Sequence, residues 1–328
     1  MYLGATGVDL FFVLSGFLIT GILLDSRRRP DYFRRFYFRR ALRIFPLYYL
    51  TLFVLLILLP IAFNDRTTLD SIEGDSIHLW MYTSNLAMAW DNRWSFGALE
   101  HFWSLAIEEQ FYLIWPIVVF YVSPRWLQQL TFAMLIVFTS ARVGCSVCGI
   151  GEVTEKLFTL FRCDGLLMGA IAAMSLRKMS DLTSLTSFYL RARIVFVISV
   201  LFFGASLVLG KHDFTIRYSL VSLLWVSLLA CVLSSPKRAL GLRFFEGVAL
   251  RVLGKYSYAM YVFQSPIILL LGTAITPTIL SKTIGNSYCG GIAYVGIMFA
   301  ITLGLAVLSW HGFEKRFLQL KDLGPERA

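Results

Sequence analysis

The sequence predicts an all-α, polytopic membrane helix bundle, and three observations carry that prediction. Of the 328 residues, 57% are hydrophobic and only 15% charged, with a mean hydropathy of +0.69, whereas soluble domains carry about 25% charged residues. Apolar runs long enough to cross a hydrocarbon core of about 30 Å at 1.5 Å per residue recur along the chain. The cations are divided unequally between alternate loops, as the positive-inside rule requires of a multi-pass chain. About nine spans are expected, at residues 6–24, 44–63, 102–121, 131–148, 158–176, 194–210, 218–235, 256–272 and 289–310. Apart from 64–101 the loops are short, so residues 1–328 read as one integral-membrane domain with no room for a second, soluble one.

The first span, GATGVDLFFVLSGFLIT, carries Asp9 at its outer end. A carboxylate there is favourable to the helix dipole, so an interfacial role and a functional one both stand. Gly4, Gly7 and Gly16 would permit close helix approach or backbone access to a ligand. Next comes YFRRFYFRRALRIFPLYY, with Arg34, Arg35, Arg39, Arg40 and Arg43. Positive-inside bias accounts for most of these. Arg39 and Arg43, and Arg40 and Arg43, nevertheless share a helical face just before Pro46, where the second span begins. Guanidinium forks at a bundle mouth suit the phosphates of a nucleotide-bearing cofactor such as coenzyme A.

Residues 78–91 are too short and polar to span and are expected as an interfacial or re-entrant helix. The third span, FWSLAIEEQFYLIWPIVVFY, places Glu108 and Glu109 at membrane depth, where an ionised carboxylate costs roughly 2.5–3.5 kcal/mol. Ser104, Glu108 and Tyr112 fall on one face, and Glu109 points roughly 100° away. Glu108 lies roughly 9 Å below the outer boundary. A structural carboxylate paired to an arginine and a proton-transfer group are both open readings. In the fourth span Cys145 and Cys148 form a C-x-x-C, but with no second pair and no nearby His they read as packing residues. No metal site is expected.

The fifth span opens with FRCDGLLMGA. Arg162 and Asp164 are two apart and so do not face each other; each is expected to pair with another helix, Arg162 with Glu108. That pair can be structural or catalytic. Gly165 and Gly169 are spaced for tight packing. The eighth span, 256–272, holds most of KYSYAMYVFQSP.

With the arginine-rich segment 25–43 inside the cell, inside loops hold 22 of the 30 Lys and Arg, outside loops 6, and Arg142 and Arg162 lie within spans. The C-terminus is then cytoplasmic and, with nine spans, the N-terminus outside. The net charge of +10 reads as this topology signal plus attraction to anionic lipid. It is not a nucleic-acid footprint, since no nucleic-acid motif accompanies it. An N-terminus outside is odd for a chain opening Met1-Tyr2-Leu3-Gly4 without a signal peptide. One more helix ahead of Met1, giving ten spans with both ends inside, is the expected resolution.

GVDLFFVLSGFLIT, FRRALRIFPLYY, HFWSLAIEEQFYLIWP, FRCDGLLMGA and KYSYAMYVFQSP, ending in WHGFEKRF, together resemble the integral-membrane acyltransferase-3 family, in order from residue 4 to about residue 320. The resemblance implies transfer of an acyl group, commonly acetyl, from cytoplasmic acyl-CoA to a sugar hydroxyl of a glycan at or beyond the outer face of the bacterial inner membrane. It assigns site roles to Asp9 of V-D-x-F-F-V, Glu108 of S-L-x-x-E, and Arg162 and Asp164 of F-R-x-D-G-L. Arg40 and Arg43 match the R-x-x-R motif and would take the donor's phosphates.

Two departures stand out. The family's first helix ordinarily brings an arginine and a histidine taken as the catalytic base. This sequence starts after that helix, so full activity is expected to require it. Where members often have His before S-P or W-P, this chain has Gln264 before Ser265-Pro266. His101 is a candidate substitute base, against the reading of a solvated interfacial histidine. A transporter or flippase of a glycan or anionic solute is the alternative function, since intramembrane Glu, Asp and Arg also serve proton-coupled transport; no inverted repeat of broken helices supports it.

Overall fold

The computed structural model describes residues 6–64, 66–179, 181–208, 215–235, 244–272 and 274–320. Gly4 therefore lies outside the described residues. The chain is an all-α membrane-type helix bundle, and every expected span has a helix. Six helical runs among the described residues are long and apolar enough to cross a bilayer: Thr6–Ser26, Tyr32–Ala62, Pro124–Val147, Leu182–Ser206, Arg217–Ser234 and Ser287–Gln319.

The second helix starts at Tyr32, upstream of the span expected at 44–63, because arginine is a good helix former and the cationic stretch, expected to put Arg39, Arg40 and Arg43 on a helical face, continues into the apolar one. One expectation is corrected. The fifth span is not one helix. It divides into Thr159–Arg162 and Asp164–Arg177, with Cys163 between them. At 1.5 Å per residue the second piece is about 21 Å long, short of the hydrocarbon core.

The helices form two compact units. The first comprises residues 1–32, 85–93 and 103–246. It holds α1 (Thr6–Ser26), most of α2 (Ser84–Asp91), α3 (Trp103–Tyr121), α4 (Pro124–Val147), α5 (Glu152–Leu157), α6 (Thr159–Arg162), α7 (Asp164–Arg177), α8 (Leu182–Val208) and α9 (Arg217–Ser234). Helix α7 is the hub, packed on α1, α4 and α9, while α1 also meets α3 and α9. The α1–α7 seam is close because two glycines permit it: a Cβ on Gly16 would lie 1.9 Å from the Leu166 carbonyl oxygen, and one on Gly169 2.1 Å from that of Val13. Gly7, by contrast, faces open space. Helix α8 packs on α9 and presents Ile194, Leu201 and Phe202 outward, as expected of a helix face that meets lipid rather than protein.

The two ends of this unit differ in chemistry. At one end Arg27 donates to the Phe120 (2.9 Å) and Val122 (2.8 Å) carbonyls, satisfying the C-terminal acceptors of α3. Arg177 and Asp25 pair there at 2.8 Å, and Gln128 reaches Ser175 at 3.2 Å. The N-terminal parts of α1, α3, α7 and α9 and the C-terminal part of α4 make up the opposite end.

The second unit comprises residues 33–84, 94–102 and 247–328. Its long helices are Tyr32–Phe53, continued by a π-helical turn over Val54–Leu58, then Val248–Leu271 and Ser287–Ser309, which runs into a second π-helical turn at Trp310–Glu314. Tyr258 ties two of them by donating to the Ile44 carbonyl at 2.7 Å. Stretch 78–91 forms two short helices, Ile77–Trp80 and Ser84–Asp91, as its polarity suggests.

Candidate functional site

Charged side chains from α1, α4, α6 and α7 are drawn together at one end of the first unit. Arg162 Nη2 lies 2.7 Å from Asp9 Oδ1. Arg142 Nη1 lies 3.0 Å from Asp164 Oδ2. All four residues are buried. An isolated ion at this depth is costly, and opposite partners with further hydrogen bonds offset that cost. Arg162 and Asp164 do pair with other helices, as their spacing requires, but Arg162 takes Asp9 of α1 instead of Glu108.

The break before Asp164 explains how two neighbouring charges point to different partners. In an unbroken helix the Gly165 N–H would reach the Phe161 carbonyl. Here it bonds to Asp164 Oδ1 at 3.0 Å, and the Phe161 carbonyl accepts from Arg142 Nη1 instead. Arg142 Nη2 donates to Ser219 Oγ at 2.7 Å, and Ser219 Oγ donates to Asp164 Oδ2 at 2.9 Å. Arg142, Asp164 and Ser219 thus close a triangle.

Arg162 is enclosed by rings. Its guanidinium carbon lies 4.3 Å from the Tyr218 ring centroid, 5.7 Å from that of Trp103 and 5.8 Å from that of Phe12. Such contacts are worth more when desolvated, about 2 kcal/mol. Its Nε and Nη1 are buried and make no hydrogen bond to any described residue. Two nitrogens of a fixed, permanently charged group thus keep N–H donors that no described residue accepts.

Segment 158–162, which delivers Arg162, is held by an amide–hydroxyl ring. Asn85 Nδ2 donates to Thr159 Oγ1 at 2.8 Å and to the Leu157 carbonyl at 3.1 Å. Gln110 Nε2 donates to Asn85 Oδ1 at 2.9 Å, and Thr159 Oγ1 donates to Gln110 Oε1. Glu108, on the same helix as Gln110, is buried and accepts from the Tyr112 hydroxyl one turn along, as their shared face predicts.

Arg40 and Arg43 belong to the second unit, on helix Tyr32–Phe53, with Arg40 half-buried and Arg43 exposed. His101, also there, is not a solvated histidine. Its Nδ1 lies 3.0 Å from the Ala98 carbonyl and its Nε2 is shielded from solvent. Burial pushes its imidazole down to about 4, which makes it a weak base at neutral pH. Cys145 and Cys148 are free thiols. Among the described residues no three His, Cys, Asp or Glu side chains converge as a metal site would require.

Sequence reasoning missed Arg142, Ser219 and the rings around Arg162. One signal was present: an arginine inside span 131–148 is as expensive as one at 162 and equally demands a carboxylate.

A family described as an acyltransferase domain, acyltransferase 3, matches residues 1–311. The provisionally named peptidoglycan O-acetyltransferase YrhL of Bacillus subtilis (strain 168) is 31% identical over 95% of this chain and 50% of its own length. The peptidoglycan O-acetyltransferase OatA of Listeria monocytogenes is 41% identical over 34% of this chain and 19% of its own. The O-acetyltransferase OatA of Staphylococcus aureus is 27% identical over 82% of this chain and 47% of its own. The chain spans about half the length of the first of these relatives. No solved structure matches.

Proposed function

The chain belongs to the acyltransferase-3 family, and on that premise we propose that it transfers an acyl group, acetyl foremost, from cytoplasmic acyl-CoA to a sugar hydroxyl of a cell-wall glycan. The names of the relatives favour peptidoglycan as that glycan. The bacterial inner membrane, with the C-terminus cytoplasmic, is the setting that the cation bias supports.

One observation carries the reading: a buried arginine fixed by Asp9 and three rings, with two N–H-bearing nitrogens left over. Acyl transfer needs such a group. As the hydroxyl oxygen attacks the thioester carbonyl, a C–O bond forms and the carbonyl electron pair moves onto its oxygen. Preorganised donors that meet this oxyanion contribute typically 10²–10³-fold each. The oxyanion then collapses, the C–S bond breaks and coenzyme A leaves as thiolate, taking up a proton. Arg162 is assigned the oxyanion. Asp9 and Asp164 keep the arginine and its segment in place.

Glu108, hydrogen-bonded to Tyr112, is assigned to orient the acceptor or relay its proton. A histidine base of the kind that the resemblance implies takes that proton first. Arg40 and Arg43 are assigned the donor's phosphates, for which paired guanidinium forks are suited.

Membranes containing the chain expressed from its own locus, incubated with radiolabelled acetyl-CoA, test the proposal. Base-labile label on glycan is expected. Labelled solute crossing the membrane with no covalent label on glycan would instead support a transporter.

A further inference from the structure

Resting on that acyl-transfer reading, we infer that Arg142 is a positioning residue for Arg162: it touches neither acceptor nor donor but fixes where the free Arg162 donors point. Two physical routes connect them. The first is the backbone. Arg142 Nη1 replaces the helical hydrogen bond that the Phe161 carbonyl has given up, one residue before Arg162, and bonds Asp164 two residues after it. The break that aims Arg162 at Asp9 is thus held from both sides by one guanidinium.

The second route is through α9. Arg142 Nη2 holds Ser219 at 2.7 Å, and its neighbour Tyr218 places its ring 5.5 Å from Arg142 Cζ and 4.3 Å from Arg162 Cζ. Moving Ser219 moves the ring against which Arg162 lies.

The donor–acceptor count separates the two arginines. Asp164 commits Oδ2 to Arg142 and Ser219, and Oδ1 to the Gly165 N–H. Arg142 commits both terminal nitrogens to three protein acceptors on α6, α7 and α9 and leaves only its Nε without a hydrogen bond to a described residue. Arg162 commits one terminal nitrogen to Asp9 and keeps Nε and Nη1. The first pair is therefore spent on geometry and the second retains the means to meet a ligand. A lysine cannot replace Arg142, because a single ammonium has no rigid fork to serve acceptors on separate elements.

The test is Arg142→Lys in the full chain, assayed for acetyl transfer to glycan at matched membrane abundance. A misplacement on the order of 1 Å costs about 100-fold. We expect kcat to fall by about that factor with KM for acetyl-CoA changed less than about twofold. Because Arg142 and Asp164 act through one break, Arg142→Lys with Asp164→Asn together should cost little more than either alone. If Arg142→Lys does not insert, Ser219→Ala takes its place, with kcat expected to fall about tenfold at normal abundance. Wild-type kcat in whichever variant inserts, a change confined to KM, or fully additive losses overturn the inference. A wild-type chain that labels no glycan overturns the acyl-transfer reading itself, so the two failures are distinguishable.

Discussion

Arg162 Nη2 lies 2.7 Å from Asp9 Oδ1, joining residues 153 positions apart in a buried ion pair. Removing one partner of such a pair leaves a buried charge and costs about 3–5 kcal/mol, whereas removing both costs far less. Arg162→Met should therefore lower the thermal midpoint in detergent more than the double variant Asp9→Asn with Arg162→Met does. Equal midpoints would mean that the pair contributes nothing to stability.

The α1–α7 seam makes a second prediction. A Cβ at Gly16 or Gly169 would meet backbone at 1.9 or 2.1 Å, and backbone cannot rotate away as a side chain can. Gly16→Ala and Gly169→Ala should each destabilise by about 1–3 kcal/mol through overpacking. Gly7→Ala, with nothing within 4 Å, should be tolerated. Chemical or thermal unfolding of the three variants decides it.

Asn92 caps a helix that follows it by sixty residues. Its Oδ1 accepts the N–H groups of Val153 and Thr154 at 3.1 and 3.2 Å, at the start of α5, and its own φ of 49° is left-handed. Asn92→Gly keeps the backbone conformation and loses the cap, so a loss of about 1 kcal/mol is expected. Gly151→Ala should cost about the same, since its Cβ would lie 1.7 Å from the Asn92 side chain, which can rotate away only by giving up the cap. Thermal midpoints lowered by similar amounts are the check.

His101 gives a pH dependence. Its folded imidazole is held down to about 4 by burial, below the ordinary 6.5, so the unfolded chain binds the proton first. The stability from burying the neutral ring is fully present above 6.5. It is lost as pH falls towards 4, at up to about 1.4 kcal/mol per pH unit. The thermal midpoint of the wild type should fall more steeply between pH 6.5 and 4 than that of His101→Gln. Parallel curves would contradict the burial.

The apolar runs made the helices legible, because membrane depth forces backbone hydrogen bonds inside each segment. The break at Cys163 was hidden: FTLFRCDGLLMG is apolar on both sides of its charges and reads as one helix. Asp9, Arg162 and Asp164 stood out because each is expensive where it lies. Their partners did not, since helical spacing fixes which face a residue occupies but not which helix lies opposite. Arg142 entered the reading only as an in-span cation. Its role rests on the Phe161 carbonyl, which a sequence does not display. The rings of Phe12, Trp103 and Tyr218 were invisible for a simpler reason: in a chain with 16% aromatic residues, no single ring draws notice.

Whether Arg162 meets the oxyanion is decided by acetyl transfer from radiolabelled acetyl-CoA to glycan by the wild type and by Arg162→Lys, at equal membrane abundance. Lysine keeps the charge opposite Asp9 but loses the forked donors assigned to the oxyanion. Label on glycan is expected from the wild type, with a loss of about 100-fold or more in the variant. Equal labelling by the two would contradict that assignment.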